Sequence, residues 1–207
     1  MITQINFVDG NELDLAQITQ VTELAFYTGY HMISSQNNKL GLSPIEFHRE
    51  VTILPALKYI RAMLDKDNNV AGFYLALTQT ETKELFASTP NYYADELADL
   101  MEVADKIFNL YLEESNYDDL IVHYSSIRYD LQGLGLFKVL MKDLIKLAHA
   151  KQCSRLFAAT WTSKTKSLDI FKYYGSQERK VLDFTDTICK DKIVNLVTEV
   201  AEIESRL

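Results

Sequence analysis

The sequence is short of the residues that make chains irregular or cross-linked. Its 207 residues include only 7 glycines and 3 prolines, so long disordered linkers are not expected. It has 2 cysteines, Cys153 and Cys189, which suit a reducing compartment and read as small buried apolar residues. Those two and 4 scattered histidines offer no metal-ligand spacing, so no metal is expected. No apolar run approaches the ~18 residues that a membrane span requires. The opening Met1-Ile2-Thr3-Gln4-Ile5 has neither the basic start nor the apolar run of a signal peptide, so the cytoplasm is the expected compartment. Positive charge is also scarce: 21 Lys and Arg stand against 29 Asp and Glu. The net charge of −8 argues against nucleic acid as the main partner.

Ordinary globular composition remains, with 47% hydrophobic and 24% charged residues. The length suits one domain over residues 1–207 with a full core. The charge is unevenly spread. Residues 79–119 carry eleven acids and two bases, so this segment alone sums to −9. One reading is a solvated helix face. The other is a field that draws a cationic substrate.

Periodicity gives an α/β (α+β) order. Residues 2–8 read as a strand, and 14–30 as a helix with Leu15, Ile18, Val21, Leu24 and Ala25 at helical spacing. Ser43-Pro44-Ile45-Glu46 is a helix start, with Ser as cap, Pro in the first turn and Glu46 reaching back. Strands over 59–64 and 70–77 flank the polar turn Asp65-Lys66-Asp67-Asn68-Asn69. An inserted acidic helix over 95–114 places Leu97, Leu100, Met101, Ala104, Ile107, Phe108 and Tyr111 on one face. Then follow a strand over 120–127, a helix over 133–151, a strand over 155–161, a short helix over 164–174 closed by Gly175, and strands over 179–185 and 192–200.

One stretch carries chemistry. Ile121-Val122-His123-Tyr124-Ser125-Ser126-Ile127 reads as a strand, Arg128-Tyr129-Asp130-Leu131-Gln132-Gly133-Leu134-Gly135 as a loop, and Leu136-Phe137 opens an amphipathic helix. A helix N-terminus offers free amides and partial positive charge, and glycine lets backbone approach an anion. The Gly-Lys-Ser/Thr of a Walker loop is missing, and so is the third glycine of a dinucleotide fingerprint.

Gln132-Gly133-Leu134-Gly135-Leu136-Phe137 resembles the acyl-CoA motif of the GNAT superfamily, Arg/Gln-x-x-Gly-x-Gly/Ala at a strand-to-helix turn. The element order along nearly the whole chain resembles that family too. The resemblance implies a mostly antiparallel central sheet flanked by helices, and N-acetyl transfer from acetyl-CoA. It implies pantetheine contacts at the backbone of Ile127, and pyrophosphate contacts at the amides of Gln132, Gly133, Leu134, Gly135, Leu136 and Phe137. Arg128 is a candidate for a CoA phosphate, or else a solvent-facing loop charge. Lys164 and Lys166 stand near a 3′-phosphate in the same scheme, or are plain surface lysines. Phe137 departs from the usual Gly or Ala and must turn toward the core. In the family's second motif an Asn, a small residue and a Tyr precede a Gly-Phe pair; here those places hold Lys164, Ser167, Phe171 and Gly175-Ser176. The Tyr is a general acid in many members, and Phe171 cannot be one. Tyr174, one turn on, is the substitute candidate, against a packing role.

N-acyl transfer needs a base for the amine proton. His123 is the candidate: alternation puts it on one strand face with Ser125 and Ile127, and some arylalkylamine acetyltransferases are similar at that strand position. Against this stands a plain hydrogen-bonded strand histidine. Tyr92-Tyr93, Tyr129 and Tyr173-Tyr174 are candidates for an acceptor pocket, and Trp161 reads as core. Three functions remain: an N-acetyltransferase acting on a primary amine of a small molecule or protein, a catalytically silent acyl-CoA-binding regulatory module, and an interaction protein dimerising through the helix over 95–114.

Overall fold

A computed structural model describes residues 5–27, 41–88, 98–185 and 191–207, with residues 98–104 described by backbone alone. The fold is mixed α/β, with a mostly antiparallel central sheet flanked by helices. Its seven strands are β1 (Asn6–Asp9), β2 (Ile60–Leu64), β3 (Val70–Leu77), β4 (Asp119–Ile127), β5 (Arg155–Trp161), β6 (Gln177–Phe184) and β7 (Asp191–Glu199), in the order β1-β2-β3-β4-β5-β7-β6. The helices are α1 (Leu15–Ala25), α2 (Pro44–His48), α3 (Leu54–Ala56), α4 (Gln79–Ser88), α5 (Ala98–Glu114), α6 (Leu136–Ala150), α7 (Thr165–Tyr173) and α8 (Val200–Arg206). No helix among the described residues is long and apolar enough to cross a membrane. The chain packs as two compact units: one holds the described residues up to 76 with 84–88 and 124–141, the other 77–83, 98–123 and the described residues from 142 on.

In the first unit, β1 pairs antiparallel with β2, and β2 with β3. Every residue of β3 is buried. The β2–β3 turn is held by Asp65, whose Oδ1 accepts the amides of Asp67 and Asn69, each at 3.0 Å. Helix α1 begins at a capping box in which Asp14 accepts the amide of Gln17 at 2.8 Å and Gln17 accepts that of Asp14 at 3.0 Å. Its Gln20 accepts the Val70 amide at 2.7 Å, tying helix to hairpin. The helix start read at Ser43 is present, with Ser43 and Glu46 capping reciprocally. At Gly72 a Cβ would lie 2.7 Å from Ser126 O, so β3 and the end of β4 approach more closely than any side chain permits.

In the second unit, β4 pairs parallel with β5 from Asp119–Arg155 to Val122–Ala158. Beyond that ladder β5 continues to pair with β7 as far as Trp161–Ile193, and β6 covers the other side of β7. Tyr111 of α5 packs on Ile121, Phe157 and Val197, with Ile107 and Ala159 against them. The fully buried carboxylate of Asp119 accepts Arg155 Nε at 2.8 Å and the Asn116 amide at 2.6 Å, so its charge is both paired and hydrogen-bonded. Gln79 donates to the carbonyls of Leu112 at 2.9 Å and Ser115 at 3.1 Å, pinning the start of α4 to the end of α5. Helix α7 ends at Gly175, φ 88°, with Ser176 donating to Phe171 O at 3.1 Å and Gly175 to Lys172 O at 3.0 Å.

The insertion before the motif strand is two helices, α4 and α5, where the periodicity predicts one. Helix α6 starts three residues later than predicted, because residues 133–135 stay in the loop. Helix α8 is unpredicted: Val200 donates to Ser154 O at 2.9 Å, and the chain turns there rather than ending in strand. Residues 2–4 of the first predicted strand, Tyr92-Tyr93 and Cys189 lie outside the described residues. Cys153 is buried.

Candidate functional site

The loop from β4 to α6 is shaped by its own hydrogen bonds. Leaving β4, the Arg128 amide donates to Ala71 O at 2.9 Å, and a 3-10 turn covers Tyr129–Leu131. The Gln132 side chain folds back to donate to Ile127 O at 3.2 Å. Gly133 and Gly135 both take φ 80°, a left-handed conformation that residues with a Cβ adopt at a cost of about 1–2 kcal/mol. Open space surrounds both: a Cβ at either would meet nothing within 4 Å. Residues 132–135 are exposed.

This loop ends at the N-terminus of α6. Helix α6 runs 15 residues with no acidic residue in its first turn. Gly135, at the position before the helix, has no side chain with which to cap it. The leading amides of such a helix have no partner within it and carry partial positive charge. Leu136, Leu140 and Met141 face inward, and Phe137 is partly buried, as the apolar stripe requires. The head of α6 therefore presents backbone, and its first turn carries no acidic side chain.

Arg128 is engaged elsewhere. Its Nε donates to Asp130 at 2.8 Å, and its Nη1 lies 3.2 Å from Asp65 and 3.3 Å from Val70 O. The Asp130 carboxylate, opposed by partial burial, raises its pKa further. The guanidinium thus fastens the loop to the β2–β3 turn.

In the second unit His123 stands one residue past the end of the β4–β5 ladder, and Ala159 holds the matching place on β5. The His123 ring is partly buried, and burial pushes its pKa down to about 3. Its Nε2 lies 3.0 Å from Thr82 Oγ1, and its ring centroid 4.6 Å from that of Tyr111. Thr82 is fully buried. Sequence reasoning missed this partner, which lies 41 residues upstream on a helix it did not predict.

Tyr174 is buried at the end of α7, its ring edge-on to Tyr173 at 5.1 Å, and burial raises its pKa. Phe171 is partly buried, Lys164 partly buried and Lys166 exposed. Trp161 is buried against Phe184, as core. Tyr129 is exposed, as is Tyr173. Among the described residues of 79–119, four acids sit in ion pairs: Glu81 with Lys151, Glu114 with Lys180, and Asp118 and Asp119 with Arg155. Their charge is locally neutralised, which weakens the field the segment projects. No group of three His, Cys, Asp or Glu among the described residues is arranged to hold a metal.

The fold is similar to that of solved acetyltransferases, one of them described as a member of the GNAT family. No sequence-family model matches it, and no curated protein matches it by sequence. Solved structures match it throughout. An acetyltransferase superposes with a TM-score of 0.60 at 16% identity, over 96% of this chain and 100% of that one. The C-terminal condensation domain of Ebony, solved in complex with β-alanyl-dopamine, gives 0.63 at 10% identity over 95% and 99% of the two chains. A chain of the NatC complex, bound to Gag peptide and CoA, gives 0.56 at 12% identity over 95% and 99%. At such identities the likeness is one of fold, and function must be argued from the site.

Proposed function

We propose that the chain is an acyl-CoA-dependent N-acetyltransferase, moving an acetyl group from acetyl-CoA to a primary amine of a small molecule or protein by direct attack in a ternary complex. The observation that carries this reading is the exposed Gly133–Gly135 backbone, with both residues at φ 80°, at the uncapped head of α6. Amides of residues 132–137 bind the pyrophosphate there, and Gln132 braces the strand end at Ile127. Arg128 serves by holding the loop rather than by touching phosphate.

In this reading the amine nitrogen bonds to the thioester carbon, the carbon–sulfur bond breaks, and CoA leaves as the thiol. His123 receives the amine's proton. Burial keeps its imidazole neutral at pH 7, so a lone pair is available, but its low basicity suits a late transfer. The N–H becomes far more acidic once nitrogen has begun to bond to carbon. Tyr174 is the candidate donor to sulfur, since its raised pKa keeps the phenol protonated. One observation favours a second reading, acyl-CoA binding without turnover: the general-acid position holds Phe171, and Tyr174 is only 5% exposed.

Calorimetric titration with acetyl-CoA tests the donor side. Micromolar binding by the wild type and its loss in Gly135→Asp, which sets a carboxylate against the pyrophosphate, is the expected result. No binding by the wild type would remove the proposal. Thiol release with an amine panel then separates transfer from silent binding.

A further inference from the structure

We propose that Asn195 binds the acceptor, and that the acceptor is an amine carrying an amide group a few bonds from its reacting nitrogen. This rests on the reading of the chain as an acetyltransferase whose amine substrate lies near His123. Asn195 is fully buried on β7, and neither its Oδ1 nor its Nδ2 has a hydrogen-bond partner among the described residues. Buried side-chain polar atoms are seldom left so, and a carboxamide has no change of protonation to relieve it. One acceptor and one donor on a single planar group are the complement of another amide.

The sheet sets this carboxamide in line with His123. Asn195 pairs with Ala159 of β5, and Ala159 stands level with His123 of β4. Alternation gives the three one face, because Ile121, Phe157 and Val197, each two residues from one of them, meet beneath Tyr111 of α5. Two strand spacings of about 5 Å separate Asn195 from His123. The residue between them carries only a methyl group, and both Ala159 and His123 are partly exposed. Solvent thus reaches the two places next in the row, while Asn195 itself is covered. A change of side-chain rotamer turns the carboxamide over Ala159, where an amide-bearing amine spans the row to the imidazole. Lys180, paired with Asn195 on β6, is committed elsewhere, its ammonium 2.7 Å from Glu114. Ile193 and Val197, the residues flanking Asn195 on this face of β7, are buried and apolar. Asn195 is the polar exception in an apolar stretch, at the row that holds the candidate base.

The probes are glycinamide, β-alaninamide and γ-aminobutyramide, each set against the amine in which isopropyl replaces the amide. The readout is the ratio of kcat/KM, amide over isostere, in wild type and in Asn195→Val. Comparing the two proteins cancels the differing basicities of the amines, and valine suits a strand, so the variant keeps the fold. For the best-fitting pair the ratio is expected to fall about 10-fold or more in the variant. Acetyl transfer with the same ratio in both proteins for every pair overturns the proposal and leaves the transferase reading standing. Nitrogen-15 NMR of asparagine-labelled protein, with CoA present, reads binding without turnover. The Asn195 side-chain signals, assigned by their loss in Asn195→Val, should shift with the fitting amide and not with its isostere. If no amine is acetylated but that shift is seen, the transferase reading fails and the amide site stands. If neither transfer nor shift is seen, the proposal falls as well.

Discussion

Arg128 and Asp65 meet across the first unit, guanidinium Nη1 to carboxylate Oδ2 at 3.2 Å, joining the loop after β4 to the β2–β3 turn. Asp65 is mostly buried, at 12% side-chain exposure, and its other oxygen already carries two turn amides. The pair therefore links two loops whose shapes depend on it. Arg128→Ala is expected to cost about 1–2 kcal/mol in urea denaturation and to weaken acetyl-CoA binding several-fold by calorimetry. Arg128→Lys keeps the charge but loses the fork, and should recover only part of both.

The two glycines Gly135 and Gly175 separate backbone strain from steric fit. Gly135 has φ 80° and open space, so Gly135→Ala should cost only the conformational term, about 1–2 kcal/mol, with the fold intact. Gly175 has φ 88°, and an added Cβ would lie 2.4 Å from Glu202 Cγ. Gly175→Ala should therefore cost more, by the work of displacing Glu202. Equal denaturation midpoints for the two variants would contradict the contrast.

His48 makes stability pH-dependent. It is buried between Phe26 and Tyr124, and burial pushes its pKa from 6.5 down to about 4. Between those values the unfolded chain binds the proton more readily than the folded one, so stability falls as pH falls. The loss begins near pH 6.5 and reaches about 3 kcal/mol by pH 4 from this residue. Thermal melts across that range should show the wild type losing stability toward acid and His48→Phe losing less, so the variant gains on the wild type as pH falls.

Asn195, on β7, is fully buried, and neither its amide nitrogen nor its oxygen has a hydrogen-bond partner among the described residues. Two unpaired polar atoms in a strand interior cost more than an apolar side chain of similar width. Asn195→Val should raise stability by about 1–2 kcal/mol in chemical denaturation, helped by valine's fit to a strand.

Legibility in the sequence followed the range of the forces. Strand β5 lies where the sequence reading puts it, at Arg155–Trp161, because a short apolar run is a local signal. The Ser43 capping box was readable because its partners lie three residues apart. The glycine loop was readable for the same reason. Arg128 was not: its partner Asp65 is 63 residues away in sequence, and nothing local says that a loop arginine will turn inward. Thr82 was hidden likewise, since an isolated threonine in an acidic stretch reads as surface until the helix around it is placed against His123. Helix α8 was lost because it is only seven residues long, too short for a helical period to stand out at the end of β7.

The helices between β3 and β4 limit how this chain can be engineered. A designer shortening the chain would replace residues 78–118, between β3 and β4, with a short loop. That cut would take out Thr82 and Tyr111 along with the Gln79 clasp, leaving His123 on an intact strand with its ring free to spin. The trimmed protein should keep its grip on acetyl-CoA, because the glycine loop lies outside the excised segment. On the proposed reading, donor recognition and proton handling are encoded in separable stretches of chain, and only the first is portable.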